Sequence, residues 1–125
     1  MKLRNFFIKM HKKNSRNYLS RMKLLKPTIM KNAKKYDFSY WDGKRNEGYG
    51  GYKFIEGHWK PLAKKLIKTY KLTNNSTVLD VGSGKGFLLY ELKKILPNLK
   101  IIGYDISKYA IKNAHPEIKK YLHII

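Results

Sequence analysis

The chain has 125 residues with a formal net charge of +20, from 28 Lys+Arg against 8 Asp+Glu, and it contains no cysteine. That length is one small domain, and the missing cysteines exclude a disulfide framework and a thiolate metal site; the four histidines (His11, His58, His115, His123) show no ligand spacing, so no metal is expected. No apolar run approaches the roughly 20 residues that span a bilayer, and no apolar signal-peptide core is visible, so the sequence predicts no transmembrane segment and a cytoplasmic location.

Residues 1–35 hold no acidic residue; the first is Asp37. Phe6, Phe7, Met10, Tyr18, Leu19, Met22 and Leu25 recur at partly helical spacing, and Pro27 should interrupt any helix there. The stretch reads as a basic helical N-terminal extension of one or two amphipathic helices. Its charge suits nucleic acid or an anionic membrane surface, and equally a solvated face over a small apolar stripe. Arginine is confined to Arg4, Arg16, Arg21 and Arg45, whereas bidentate base reading favours arginine. Abundant Lys, Asn, Ile and Tyr are also what translation of an AT-rich gene produces.

Residues 36–60 interleave aromatics with glycines, from Tyr36-Asp37-Phe38-Ser39-Tyr40-Trp41-Asp42-Gly43 through Gly48-Tyr49-Gly50-Gly51-Tyr52 to Gly57-His58-Trp59. This predicts an ordered loop region. Tyr49, Tyr52 and Trp59 could either close over a ligand or fill the core beneath the loop.

From Pro61 onward Leu62, Ala63, Leu66, Ile67 and Tyr70 mark one helical face. A strand follows at Val78–Val81, then Gly82, Gly84 and Gly86, then a helix lined by Phe87, Leu88, Leu92, Ile95 and Leu96 and ended at Pro97-Asn98. Ile101–Asp105 reads as a second strand. Ser107 is a plausible N-cap for a helix to about Ala114, and Tyr121–Ile125 as the start of a third strand.

Strand, glycine turn, helix, strand is a βαβ unit, whose ligands sit outside the carboxyl ends of the strands. Asp105, twenty-three residues after Gly82, stands near the offset of an acid that holds ribose hydroxyls, although it could simply cap the helix begun near Ser107. Asp80 could likewise serve only to bond the N–H groups of the turn that follows it. A dinucleotide fingerprint would need glycine where Phe87 stands. A phosphate-binding loop would need glycine at Leu79 and Ser or Thr at Gly86. The spacing acid-x-Gly-x-Gly-x-Gly is met in full by Asp80, Gly82, Gly84 and Gly86.

Val-Leu-Asp-Val-Gly-Ser-Gly-Lys-Gly-Phe (78–87), followed by Ile-Gly-Tyr-Asp-Ile-Ser (102–107), resembles the first two motifs of the class I S-adenosylmethionine-dependent methyltransferases. The resemblance covers about residues 76–115. It implies an incomplete Rossmann-like α/β fold in which residues 61–125 form a partial cofactor-binding domain, truncated after about its third strand. It implies S-adenosylmethionine as cofactor and Asp80, Gly82, Ser83, Gly84, Gly86, Asp105 and Ile106 as its binding residues. In that scheme the glycines pack against the methionine portion, Asp80 orients the turn and the amino group, Asp105 takes the ribose and Ile106 lies against adenine. Lys85 is expected in solvent, since this cofactor has no phosphate. No catalytic base is assigned; His58 is the only candidate near the proposed edge. Two alternatives stay open: a non-catalytic basic module binding nucleic acid or ribosomes, and a nucleotide-dependent oxidoreductase. Neither the methyl acceptor nor the oligomeric state is legible in the sequence.

Overall fold

The computed structural model describes Arg4, Phe6, Leu19 and residues 26–125. The helices expected before residue 26 fall outside the described residues, apart from those three positions. The basic extension ends in helix α1 (Lys26–Ala33), with Pro27 in its first turn, where a missing N–H costs nothing.

The aromatic–glycine stretch is less irregular than its composition suggests. It holds a single helical turn, α2 (Phe38–Trp41), started by Asp37, whose carboxylate accepts the Ser39 N–H at 2.9 Å. The chain then doubles back over this turn. The Tyr49 amide donates to the Tyr40 carbonyl at 2.8 Å, and those of Gly51 and Tyr52 donate to the Trp41 carbonyl at 3.1 and 3.0 Å. The return passes so close that a Cβ at Gly48 would lie 2.0 Å from the Tyr40 carbonyl oxygen, which makes glycine obligatory there.

Helix α3 (Lys60–Tyr70) has its proline in the first turn and buries Ala63. Strand β1 (Thr77–Val81), helix α4 (Phe87–Ile95) and strand β2 (Lys100–Asp105) form the expected βαβ unit. Helix α5 (Lys108–Lys112) starts at Ser107, whose hydroxyl accepts the Ala110 N–H at 2.9 Å. It stops short of Ala114 because Asn113 closes it, both its backbone and side-chain N–H groups bonding the Tyr109 carbonyl. A 3-10 turn over Lys119–Tyr121, unsignalled in the sequence, leads into β3 (Leu122–Ile124).

The three strands form one parallel sheet in the order β1-β2-β3, with Val78 opposite Ile101, Asp80 opposite Gly103 and Gly103 opposite Leu122. The fold is mixed α/β with all carboxyl strand ends on one edge. Leu89 and Leu92 of α4 meet Ala63 of α3, Leu99 just before β2, Ile101 within it, and Ile118 and Leu122 from the last segment. Gly103 sits beneath this cluster, where a Cβ would approach Leu122 Cδ2 to 2.4 Å. On the other sheet face Leu79 is 58% and Val81 72% exposed.

Leu89 is fully buried at the centre of the cluster. Leu89→Ala should therefore lower unfolding free energy by about 2–5 kcal/mol, read as a reduced urea midpoint at unchanged slope.

Candidate functional site

The site is built where β1 ends. Gly82, Gly84 and Gly86 all hold positive φ (82°, 57° and 72°), a left-handed path that side chains resist. The Gly82 and Ser83 amides both donate to the Tyr104 carbonyl, at 2.7 and 3.0 Å, which folds the turn back onto β2. The three glycines face different surroundings. A Cβ on Gly82 would meet nothing within 4 Å, so this backbone is open to a ligand. One on Gly84 would lie 2.7 Å from the Trp41 ring. One on Gly86 would lie 2.3 Å from Ile118 Cδ1 and 3.0 Å from Leu122, so Gly86 serves the core.

Asp105 ends β2 and is buried. One carboxylate oxygen accepts the Gly84 N–H at 2.7 Å; the other accepts the Ser107 N–H, also at 2.7 Å. The acid therefore fastens the glycine turn to the start of α5, and each oxygen keeps one lone pair for a further donor. Ser83 turns its hydroxyl inward to the Tyr104 carbonyl at 3.3 Å. Ile106 projects outward at 57% exposure beside this edge.

Asp80 sits half-buried on the face that carries α4, and no described residue gives it a hydrogen bond. Burial, then the nearby Asp105 charge, raise its carboxyl above the ordinary carboxylate value. Among the described residues, no cation stands against Asp80 to offset the Asp105 charge. Tyr52 closes in from the loop side. Its hydroxyl is pushed well up by burial and by the Tyr49 and Asp80 charges, and the Trp59 side chain hydrogen-bonds it. His58 precedes α3 with its ring edge-on to Trp59 at 5.6 Å.

The aromatic stretch is clamped over the turn. Trp41 donates its indole N–H to the Ser107 hydroxyl at 2.9 Å and to the Tyr36 carbonyl at 3.2 Å. Its ring stacks on Tyr49 at 5.3 Å, while Tyr52 stacks on Phe87 of α4 at 5.1 Å. Lys85, expected in solvent, is only 4% exposed. It reaches Asp42, donating to both carboxylate oxygens at 2.9 and 2.7 Å, and also to the Tyr52 carbonyl at 2.8 Å. Asp42 further accepts the Tyr109 hydroxyl at 2.7 Å and the Tyr52 N–H at 3.0 Å. Desolvation works against its charge, but the bonds from Lys85 and Tyr109 outweigh it and hold the carboxyl below its ordinary value.

Residues 72–122 match a family described as a methyltransferase domain. Over 48 residues the chain is 44% identical to an rRNA adenine N-6-methyltransferase of Bacteroides fragilis and 35% identical to a protein-lysine N-methyltransferase of Saccharomyces cerevisiae. Those alignments cover 38% of this chain but only 18% and 21% of the two relatives, so the chain spans a small part of their length. A solved structure of CalO1, a methyltransferase in calicheamicin biosynthesis in its SAH-bound form, aligns with a TM-score of 0.35 at 13% identity, covering 86% of this chain and 37% of that one.

Within the matched stretch, the structure brings Asp80, Gly82, Asp105 and Ile106 to one edge and turns Ser83 and Gly86 inward. The aromatic segment, which lies outside the stretch, supplies Trp41, Asp42 and Tyr52. Sequence reading assigned no role to Trp41 or Asp42, and it read Ser107 only as a helix cap.

Asp80 gives a sharp test. A carboxyl whose pKa is raised by folding costs stability once ionised, and the cost vanishes below the unfolded value near 3.8. Asp80→Asn should thus raise the ligand-free melting temperature at pH 7 and leave it nearly unchanged at pH 3, as measured by thermal unfolding across pH.

Proposed function

We propose that this edge binds S-adenosylmethionine and that the chain carries the cofactor-binding part of a class I methyltransferase. The observation that supports this most is Asp80, which has no hydrogen-bond partner among the described residues and lies near Asp105, beside the open Gly82 backbone. Two acids with no cation beside them among the described residues disfavour a phosphate ligand and favour one bearing positive charge. The turn's own lysine is engaged by Asp42 and offers nothing to a phosphate. S-adenosylmethionine carries an ammonium and a sulfonium, and it needs a vicinal-diol partner and an apolar surface for its base. Asp80 would take the ammonium, the remaining lone pairs of Asp105 the ribose hydroxyls, and Ile106 one face of adenine.

When bound, the cofactor supplies a methyl carbon activated by positive sulfur. The residues of this chain then have to hold it in line and keep water away. Asp80 and Asp105 fix its two ends through charge-assisted bonds, and the Trp41–Tyr49–Tyr52 cluster excludes solvent on the loop side.

Isothermal titration with S-adenosylmethionine tests the reading. Wild type should bind, ATP should not, and Asp80→Asn should weaken binding by about tenfold or more while melting higher than wild type. Absence of binding, or binding indifferent to Asp80, would sink it.

A second reading, a nucleic-acid-binding module, is favoured by one feature. Lys60, Lys64, Lys68 and Lys71 lie exposed along one side of α3, and the helix contains no acid. Such a stripe suits a phosphate backbone. It predicts RNA binding that falls steeply with salt, with Lys64→Glu/Lys68→Glu reducing the slope of log affinity against log salt by about two. Such binding together with no cofactor affinity would favour this reading over the first.

A further inference from the structure

We propose that Lys85 is a positioning residue: its buried pair with Asp42 latches the segment Tyr36–Tyr52 across the glycine turn and makes Trp41 and Tyr52 walls of the cofactor site. The inference rests on the cofactor reading above. A lysine ammonium has three protons, and the Lys85 bonds to Asp42 and to the Tyr52 carbonyl direct them all to the aromatic segment rather than to a ligand. The adjacent residues Trp41 and Asp42 grip two different parts of the site. Trp41 reaches Ser107 at the start of α5 and lays its ring against Gly84. Asp42 takes Lys85 from the turn and Tyr109 from α5. With both grips made, the Tyr52 hydroxyl stands near Asp80, and the space over Gly82 is bounded on the loop side without being filled.

Stability alone does not account for this pair. A buried ion pair is often replaceable by neutral groups of similar volume with little loss, because desolvating both charges offsets much of their attraction. What the pair specifies is which segment lies on the turn, and in what register. A wall fixed before binding spares the ligand the cost of ordering it.

The decisive comparison is between the wild-type chain and Lys85→Met/Asp42→Asn, which removes both charges together and leaves an acceptor for Tyr109 and the Tyr52 amide. The expected result is a melting temperature within a few degrees of wild type, a diminished near-ultraviolet circular dichroism signal from the Trp41–Tyr49 stack, and S-adenosylmethionine affinity about tenfold weaker, equivalent to about 1.4 kcal/mol. Should that variant unfold, Tyr109→Phe removes one hydroxyl from Asp42 and should cost about threefold in affinity. Unchanged affinity in the folded double variant, or in Tyr109→Phe if the double variant unfolds, overturns the latch and leaves the cofactor reading standing. A wild-type chain with no affinity at all overturns the cofactor reading and this role with it.

Discussion

The carboxylate of Asp105 is the joint on which this architecture turns. One oxygen holds the Gly84 amide and the other the Ser107 amide, so a single side chain sets the distance between the glycine turn after β1 and the helix after β2. Hydrogen bonds to a charged acceptor contribute about 1.5–3 kcal/mol each, and here two of them fix backbone that glycine would otherwise leave free. Ser107 carries the constraint outward. Its hydroxyl caps α5, receives the Trp41 indole and donates to the Tyr36 carbonyl, so the placement of the aromatic segment follows from the placement of Asp105. The acid expected to hold a ribose is thus a structural acid, with a second lone pair left on each oxygen for the proposed contact.

Much of this was legible in the residues because the signals are local. β-branched residues ending in alternating glycines specify a strand and a left-handed turn, and Ser107 specifies a helix start, from a few neighbouring positions each. What the residues do not display is direction. Gly82 and Gly86 are the same letter four positions apart, yet one faces open space and the other Ile118. Lys85 is flanked by glycines, a context that reads as solvent. Its partner Asp42 lies forty-three positions earlier, within a stretch whose glycine content reads as loop. A buried lysine becomes affordable only when three acceptors converge on it, and that convergence belongs to the tertiary fold. Gly103 was passed over for the same reason: its need for a hydrogen side chain comes from Leu122 and Ser83, brought to it by strand order.

The distribution of acids sharpens the picture. Of the few carboxylates in the chain, Asp42, Asp80 and Asp105 gather around one turn, and each has a different fate. Asp42 is neutralised by lysine, Asp105 is bonded by amides, and Asp80 is left with neither. Among the described residues only the last of these three is short of a partner.

The exposed apolar side chains of β1 have a consequence for how these molecules treat one another. Leu79 and Val81 are apolar groups open to water, and two copies meeting there would gain by covering them. Each copy also carries a net charge of +20, so approach along that face brings two strongly positive bodies together. At low ionic strength this repulsion reaches tens of ångströms. In about 1 M salt it is screened within roughly 3 Å, and the apolar attraction is left unopposed. The lysine excess thus opposes contact between copies through this face at low salt and ceases to do so at high salt.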